Sequence, residues 1–170
     1  TLTNPDGTPV IAVDSVDELA PKHKPATAIF ATKPDGVCEA VFKLRKQLSP
    51  DTVLVSVAAG LEIGQIRKNS SVNNPVVRVM PNIGAMVGRS ASAGFASSDT
   101  TATQRDLVEL LFDALGHFAW LKSENDMHVA TAVSGSGPAY FFAMCEAMID
   151  VAIENGLGRD VAETLVHATC

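Results

Sequence analysis

The sequence predicts an α/β fold with a doubly wound parallel sheet, followed from about residue 126 by a segment that is helical throughout. Three observations predict this fold class. Short β-rich runs alternate with helical patterns over the first two-thirds of the chain. Runs such as 28–31 and 53–57 are apolar at both odd and even positions, which is typical of strands buried on both faces of a parallel sheet. Beyond residue 126 only helical spacing continues.

The individual elements follow from spacing and from turn residues. The predicted strands are 9–13, 27–31, 52–57, 76–80, 92–96 and 118–121. The predicted helices are 35–48, 101–115, 138–155 and 159–170, in which apolar residues recur at helical spacing. Ser15, with Glu18 three residues later, fits a capping box and predicts a short helix. Gly116 and Gly156 are the expected stops of the helices that precede them.

Composition excludes several classes of protein. The chain has 170 residues, and 46% of them are hydrophobic, which is typical of a globular protein. Lys and Arg number 13 against 19 Asp and Glu, and the net charge of −6 argues against nucleic-acid binding. No apolar run is long enough to predict a membrane span. Cys38, Cys145 and Cys170 show neither zinc-site spacing nor a disulfide framework, so we expect no metal site and a reducing, cytoplasmic location.

The helix predicted over 138–155 is apolar on nearly all of its surface. Its charged residues, Glu146, Asp150 and Glu154, form one narrow stripe. The stripe could be read as metal ligands, but no histidine accompanies it, so we interpret it as a solvated face. A helix that is apolar nearly all round is buried nearly all round. We therefore expect more chain, or a partner subunit, to cover it.

Small turns follow three of the predicted strands. In an α/β sheet, ligands bind outside the carboxyl ends of the strands. Residues 32–35, 58–60 and 81–84 occupy these positions, and their Pro, Gly and other small residues let a flat ligand approach the backbone. Lys33 and Asn82 add hydrogen-bond donors. Each turn taken singly is also compatible with an ordinary connection from strand to helix.

The segment 134–138 is the most specific local feature. Pro138 suits the first position of a helix, and Gly135 and Gly137 leave the backbone bare. Free N–H groups at a helix start, with the hydroxyls of Ser134 and Ser136, predict a site for a carboxylate or phosphate. The alternative is a tight contact between helices that requires small residues.

Four motifs resemble those of the pyrroline-5-carboxylate reductase family, in that family's order and spacing and over essentially the whole chain. They are Ala31-Thr32-Lys33-Pro34, Ser56-Val57-Ala58-Ala59-Gly60, Val77-Arg78-Val79-Met80-Pro81-Asn82 and Ser134-Gly135-Ser136-Gly137-Pro138-Ala139-Tyr140. The last motif is highly specific. The resemblance implies an NAD(P)H-dependent oxidoreductase acting on a C=N bond. It would reduce the cyclic imine L-1-pyrroline-5-carboxylate to L-proline, the last step of proline biosynthesis.

The resemblance also implies an architecture. Residues 1–125 would form a Rossmann-type dinucleotide-binding domain without its first βα unit, and residues 126–170 the beginning of a helical dimerisation and substrate domain. The minimal assembly would be a homodimer, and a larger homo-oligomer is compatible with it.

Site residues are carried over from the matching motifs. The implied contacts to NADPH or NADH are Ser15, Ala31, Thr32, Lys33, Pro34, Val57, Ala58, Ala59 and Asn82. The implied contacts to the substrate are Ser134, Gly135, Ser136, Gly137 and Pro138. The implied reaction requires no acid or base from within this sequence, so no catalytic residue is assigned. Thr32 and Ile83 depart from the Val and Thr that the family usually has there.

Two segments of the family pattern are not found in the sequence. A Gly-rich turn would precede Thr1, and a Pro-Gly-Gly-Thr-Thr segment would follow Cys170. We therefore expect these 170 residues to be inactive by themselves. Two alternatives remain open: a non-catalytic fragment that serves as a nucleotide-binding or dimerisation module, and another imine or β-hydroxyacid reductase of similar architecture.

Overall fold

A computed structural model describes Val10 and residues 12–18, 24–70 and 73–170. Its strands are β1 (Thr27–Phe30), β2 (Val53–Ser56), β3 (Val76–Met80), β4 (Ser90–Ala96) and β5 (Gly116–Trp120). Its α-helices are α1 (Pro34–Leu44), α2 (Ile63–Arg67), α3 (Ala102–Asp113), α4 (Asp126–Ala130), α5 (Gly137–Glu154) and α6 (Arg159–Thr169). Val16–Glu18 and Ile83–Val87 are 3₁₀ turns, and Thr131–Gly135 is a π-helical turn.

Most predicted elements are confirmed. The five strands from β1 to β5 and the four long helices lie where the spacing placed them. The helix expected at Ser15 is a single 3₁₀ turn, in which the N–H of Glu18 donates to the carbonyl of Ser15. The strand predicted over 9–13 is not seen at Val10, Ala12 or Val13, and its other two residues lie outside the described part of the chain.

The five strands form one sheet in the order β1-β2-β3-β4-β5. The β1–β2, β2–β3 and β4–β5 pairs are parallel. The β3–β4 pair departs from the predicted parallel sheet. The Ser97 N–H donates to the Val76 carbonyl, and the Asn82 N–H donates to Ser90 Oγ, so β4 runs back along β3. The short link between these strands leaves no room for the crossover that a parallel pair requires.

The chain divides into two compact units, residues 1–78 with 96–101 and residues 79–95 with 102–170. The boundary predicted near residue 126 stays a prediction. In the first unit, β2 is fully buried, as its continuous apolar run predicts. The same expectation is wrong for β1, which is an edge strand of the sheet and in which Ile29 is half exposed.

In the second unit, α3 and β5 share an aromatic cluster. The Phe118 ring lies 6.1 Å from Phe112 and 4.8 Å from Trp120 between centroids. The indole N–H of Trp120 donates to Glu109 at 2.7 Å. Gly116 does not cap α3, because that helix ends at Asp113 and Gly116 begins β5. A Cβ there would lie 2.3 Å from the backbone of Ser90, so glycine is required by strand packing and by its φ of +146°.

The second unit ends in two helices. The loop between α5 and α6 turns at Gly156, which has a φ of +95°. The Gly156 N–H donates to Ile153 and the Leu157 N–H donates to Ala152, which together form a Schellman motif. Gly156 therefore ends the helix as predicted.

Candidate functional site

In the first unit, two predicted cofactor segments lie together at the carboxyl ends of parallel strands. Phe30 and Ser56, the last residues of β1 and β2, are register partners. Ala31, Thr32 and Lys33 follow β1 and are exposed, and Pro34 begins α1. The Val57 N–H donates to the Phe30 carbonyl at 3.2 Å and so ties the two segments to each other.

The segment after β2 is held by its own strand end. The Ala58 N–H donates to Ser56 Oγ at 3.2 Å, and Ala58 is buried while Ala59 is exposed. Gly60, with a φ of +74°, reverses the chain beyond it. The side chains here are small and the backbone is held by these hydrogen bonds, so the edge is open; binding of a flat ligand there stays a prediction.

Ser15 lies beside α1 rather than in either strand-end segment. It lines a cavity of about 260 Å³ together with Asp14, Val16, Gly36, Glu39, Ala40 and Lys43. Lys43 and Glu39 form an exposed ion pair at 2.7 Å, and the hydrogen bond from Lys43 lowers the pKa of Glu39. Ser15 is therefore near the first turn of α1, and contact with a cofactor there stays a prediction.

In the second unit, Asn82 uses its side chain to join three pieces of backbone. Its Oδ1 accepts hydrogen bonds from the N–H groups of Gly84 at 3.0 Å and Ala91 at 3.2 Å. Its Nδ2 donates to the carbonyl of Ser134 at 3.1 Å. Asn82 thus fixes the first residue of the 134–138 segment. The sequence predicted a donor at this position, but not this partner.

The segment 134–138 lies where a π-helical turn passes into α5. The Ser136 N–H donates to the carbonyl of Thr131 at 2.9 Å, five residues earlier, and the Ser134 hydroxyl donates to Ala130 at 2.9 Å. The prediction of free N–H groups at a fresh helix start is therefore wrong at Ser136, because helical residues already precede α5. π-helical turns occur frequently at functional sites.

The two glycines of this segment differ in their surroundings. A Cβ on Gly135 would lie 3.4 Å from Met80 Cε and 3.5 Å from Thr131 Cγ2, which is ordinary contact. A Cβ on Gly137 would meet no atom of the described residues within 4 Å. Packing within the described chain therefore does not explain Gly137, and the small-residue alternative accounts at most for Gly135.

The apolar surface of α5 is open. None of its residues is buried in the described structure, and Tyr140 and Phe141 are 71% and 63% exposed. Glu146, Asp150 and Glu154 are exposed, as expected of a solvated stripe. Within the described residues, no group of three or more His, Cys, Asp or Glu side chains is placed to hold a metal ion. None of the described helices combines the length and apolar character needed to cross a membrane.

Comparison with known proteins bears directly on this arrangement. A family model described as pyrroline-5-carboxylate reductase dimerisation matches residues 124–170. The curated pyrroline-5-carboxylate reductase of Pseudomonas aeruginosa is 35% identical over 159 residues, which is 93% of this chain. That of Arabidopsis thaliana is 42% identical over 144 residues, or 83% of the chain. Over most of its own length, the chain is thus similar to pyrroline-5-carboxylate reductases.

Solved structures of reductases in this family have the same fold. The pyrroline-5-carboxylate reductase of Coxiella burnetii matches with a TM-score of 0.80 at 32% identity, over 85% of this chain and 54% of that one. The pyrroline carboxylate reductase of Plasmodium falciparum with NADP bound matches with a TM-score of 0.76 at 33% identity, over 83% and 55%. The chain spans 58% of the Pseudomonas relative and 50% of the Arabidopsis relative, so it corresponds to about half of such a reductase.

Sequence reasoning missed two residues whose hydrogen bonds hold the 134–138 segment and Asn82 in place. Thr131 accepts the Ser136 N–H on its carbonyl and donates its hydroxyl to Met127 at 2.7 Å. The Ser90 hydroxyl oxygen accepts a hydrogen bond from the backbone N–H of Asn82 at 3.2 Å. Helical periodicity does not distinguish a π turn from an α turn over so few residues, so the sequence carries no signal for Thr131. Ser90 could be found only from the antiparallel pairing of β4 with β3, which the apolar pattern does not reveal.

Proposed function

We propose that this chain is part of a pyrroline-5-carboxylate reductase, which reduces L-1-pyrroline-5-carboxylate to L-proline with NADPH or NADH in the last step of proline biosynthesis. The observation that carries the proposal is the 35% identity to a curated reductase over 93% of the chain. The strand-end segments and the 134–138 segment, which carry the family's motifs, support it.

The cofactor is assigned to the edge formed after β1 and β2. The residues there fit a dinucleotide, because Ala31, Thr32 and Lys33 are exposed and the neighbouring Val57–Ala59 segment carries only small apolar side chains. Lys33 offers a cation to phosphate, and Pro34 with Ser15 would border the same ligand. Asn82 is the remaining proposed cofactor residue. The Plasmodium falciparum relative is described with NADP bound. When bound, the cofactor supplies the hydride.

The substrate is assigned to residues 134–138. Gly137 leaves space beside the backbone, and Pro138 contributes no N–H that would need a partner. The Ser134 hydroxyl donates within its own helix, so in this proposal it accepts rather than donates. Ser136 is exposed and completes the contact with Gly135. These residues bind the imine and fix its orientation; its carbon accepts the hydride, and the ring nitrogen gains a proton.

The assembly is proposed to be a homodimer built on α5, within the region that the dimerisation model matches. Covering Tyr140, Phe141 and their neighbours removes large aromatic surfaces from water. Each side chain that becomes fully buried stabilises the dimer by about 1.5–3 kcal/mol. A cytoplasmic location is proposed with it, since proline biosynthesis draws on soluble nicotinamide cofactors.

The function is tested by NADPH oxidation on addition of pyrroline-5-carboxylate to the purified full-length protein that contains these residues, because the 170 residues alone are expected to be inactive. Gly137→Val should raise the substrate KM about tenfold or more, since a loss of about 1.4 kcal/mol of binding is tenfold. Gly158→Val is the matched control, because a Cβ at Gly158 also meets no described atom within 4 Å. Absence of oxidation in the unmodified protein would reject the function. Oxidation with an unchanged KM in Gly137→Val would reject only the substrate assignment.

A further inference from the structure

Two cysteines far apart in sequence meet between the last two helices. Cys145 lies on α5, and Cys170 follows the end of α6, 25 residues later. Their Sγ atoms are 3.4 Å apart, and the Cys145 thiol donates a hydrogen bond to the Cys170 sulfur. The backbone N–H of Cys170 donates to the Val166 carbonyl at 3.2 Å, so the residue is held at the end of its helix.

We propose that Cys145 and Cys170 form an oxidation site, at which an intramolecular disulfide joins α5 to the end of α6. The two sulfur atoms are already 3.4 Å apart, so only a short further approach brings them to the length of a disulfide bond. Cys38 has no such neighbour among the described residues: its thiol donates to the carbonyl of Gln65 at 3.8 Å.

In the single chain, a small reagent can reach the pair. A cavity of about 570 Å³ is lined by both Cys145 and Cys170. Cys170 is exposed and Cys145 is half buried. The site therefore has an open thiol backed by a second thiol within reach, which is the arrangement of an attacking and a resolving cysteine.

The reaction requires a low-molecular-weight disulfide as oxidant, for example glutathione disulfide. The Cys170 thiolate attacks one sulfur of the oxidant, which forms a mixed disulfide and releases one thiolate. The Cys145 thiolate then attacks the Cys170 sulfur, which forms the Cys145–Cys170 bond and releases the second thiolate. The two protein thiols lose two electrons and two protons, and the oxidant is reduced to two thiols.

The order of attack follows from the surroundings of the two thiols. The hydrogen bond to Cys170, with a smaller effect of burial, raises the pKa of Cys145 above its usual value. A smaller fraction of Cys145 is then thiolate at neutral pH. Since Cys170 is also the more exposed of the two, it is the first to react.

The test is peptide mapping after the native protein has been incubated with glutathione disulfide, quenched with acid and alkylated. We expect a peptide that links Cys145 to Cys170, recovered from a band of single-chain mass on a non-reducing gel. It should be roughly tenfold or more abundant than any peptide linked through Cys38, because the paired thiols have the higher effective concentration. A glutathione adduct that accumulates on Cys170 without this peptide would overturn the proposal, as would a linked peptide found only between chains or only after denaturation.

Variants separate the pair from general thiol reactivity. Cys145→Ser should leave Cys170 as a stable glutathione adduct, because the resolving thiol is gone. Cys38→Ser should leave the yield of the Cys145–Cys170 peptide unchanged. An equal loss of linked peptide in both variants would contradict a specific site.

Discussion

Strand β2 and helix α5 are both nearly continuous apolar segments, yet the structure treats them in opposite ways. Val53, Leu54 and Val55 of β2 have no exposed surface. In α5 no residue is buried, and large aromatic side chains point into solvent. β2 is enclosed by β1 and β3, its parallel neighbours in the same chain. The described residues supply no comparable cover for α5.

The difference shows that apolar content predicts that a segment will be buried, but not which part of the protein will pack against it. A strand in the middle of a sheet brings its neighbours with it through backbone pairing. A helix satisfies its own backbone hydrogen bonds, so it forms without a partner and its apolar surface stays available. The exposed face of α5 is thus available for an interface, in agreement with the match to a dimerisation model.

The largest effect should come from the buried side of this comparison. Leu54→Ala should lower the free energy of unfolding by about 2–5 kcal/mol, because it leaves a cavity in the centre of the sheet. Leu110→Ala is the matched control, since Leu110 on α3 is 69% exposed and should change stability by less than about 0.5 kcal/mol. Urea unfolding followed by circular dichroism measures both. Equal losses would mean that burial within the chain does not decide stability.

The next effect should appear on the exposed side. Phe141→Asp places a charge on the open face of α5 and should weaken subunit association by about 2 kcal/mol, roughly thirtyfold in Kd. Phe42→Asp is the control, because Phe42 on α1 is also about half exposed but lies in the first unit. Analytical ultracentrifugation over a dilution series measures the Kd. A dimer that withstands Phe141→Asp but not Phe42→Asp would place the interface elsewhere.

A smaller effect should follow from loosening the 134–138 segment. Asn82→Asp keeps the acceptor for Gly84 and Ala91 but replaces the Nδ2 donor, which sets an oxygen against the Ser134 carbonyl. We expect the free energy of unfolding to fall by about 1 kcal/mol, which is the contribution of a typical hydrogen bond. Amide hydrogen exchange should become faster in residues 131–137 and remain unchanged in β2. Unchanged exchange in 131–137 would show that Asn82 does not hold the segment.

Much of the fold was predictable because it depends on local spacing. The boundaries of α5 and the stop at Gly156 follow from periodicity and from one glycine with positive φ. The direction of β4 was not predictable from apolar pattern, because parallel and antiparallel buried strands read alike. The sequence alone was enough to predict that Ala31 and Val57 lie at the same edge of the sheet, because each directly follows a parallel strand. The π turn at Thr131 and the meeting of Cys145 with Cys170 could not, since both depend on helix geometry and packing that no residue spacing encodes.

The smallest predicted effect concerns a polar link within the first unit. Arg67 Nη2 donates to both carboxylate oxygens of Asp99, at 2.7 and 2.9 Å, and so ties the end of α2 to residues 96–101. Burial acts to raise the pKa of Asp99, but hydrogen bonds from Ser97 and Arg67 together outweigh it, so the pKa lies below its usual value. An ion pair therefore contributes to the stability of the first unit, in addition to its apolar core.

A lowered pKa in the folded state means that the pair stabilises the protein above the pKa of Asp99 in the unfolded chain, about 3.9. That contribution is lost as the pH falls through the folded value. Since both side chains are partly exposed, it should be below about 1 kcal/mol. Asp99→Asn should therefore lower stability slightly at pH 7 and flatten the decline of stability below pH ~4. Glu39→Gln, which removes the more exposed pair with Lys43, is the control. If both variants flatten the decline of stability in acid equally, the partial burial of Asp99 adds nothing to the stability that its ion pair contributes. The contrast between buried and exposed regions would then hold for apolar residues only.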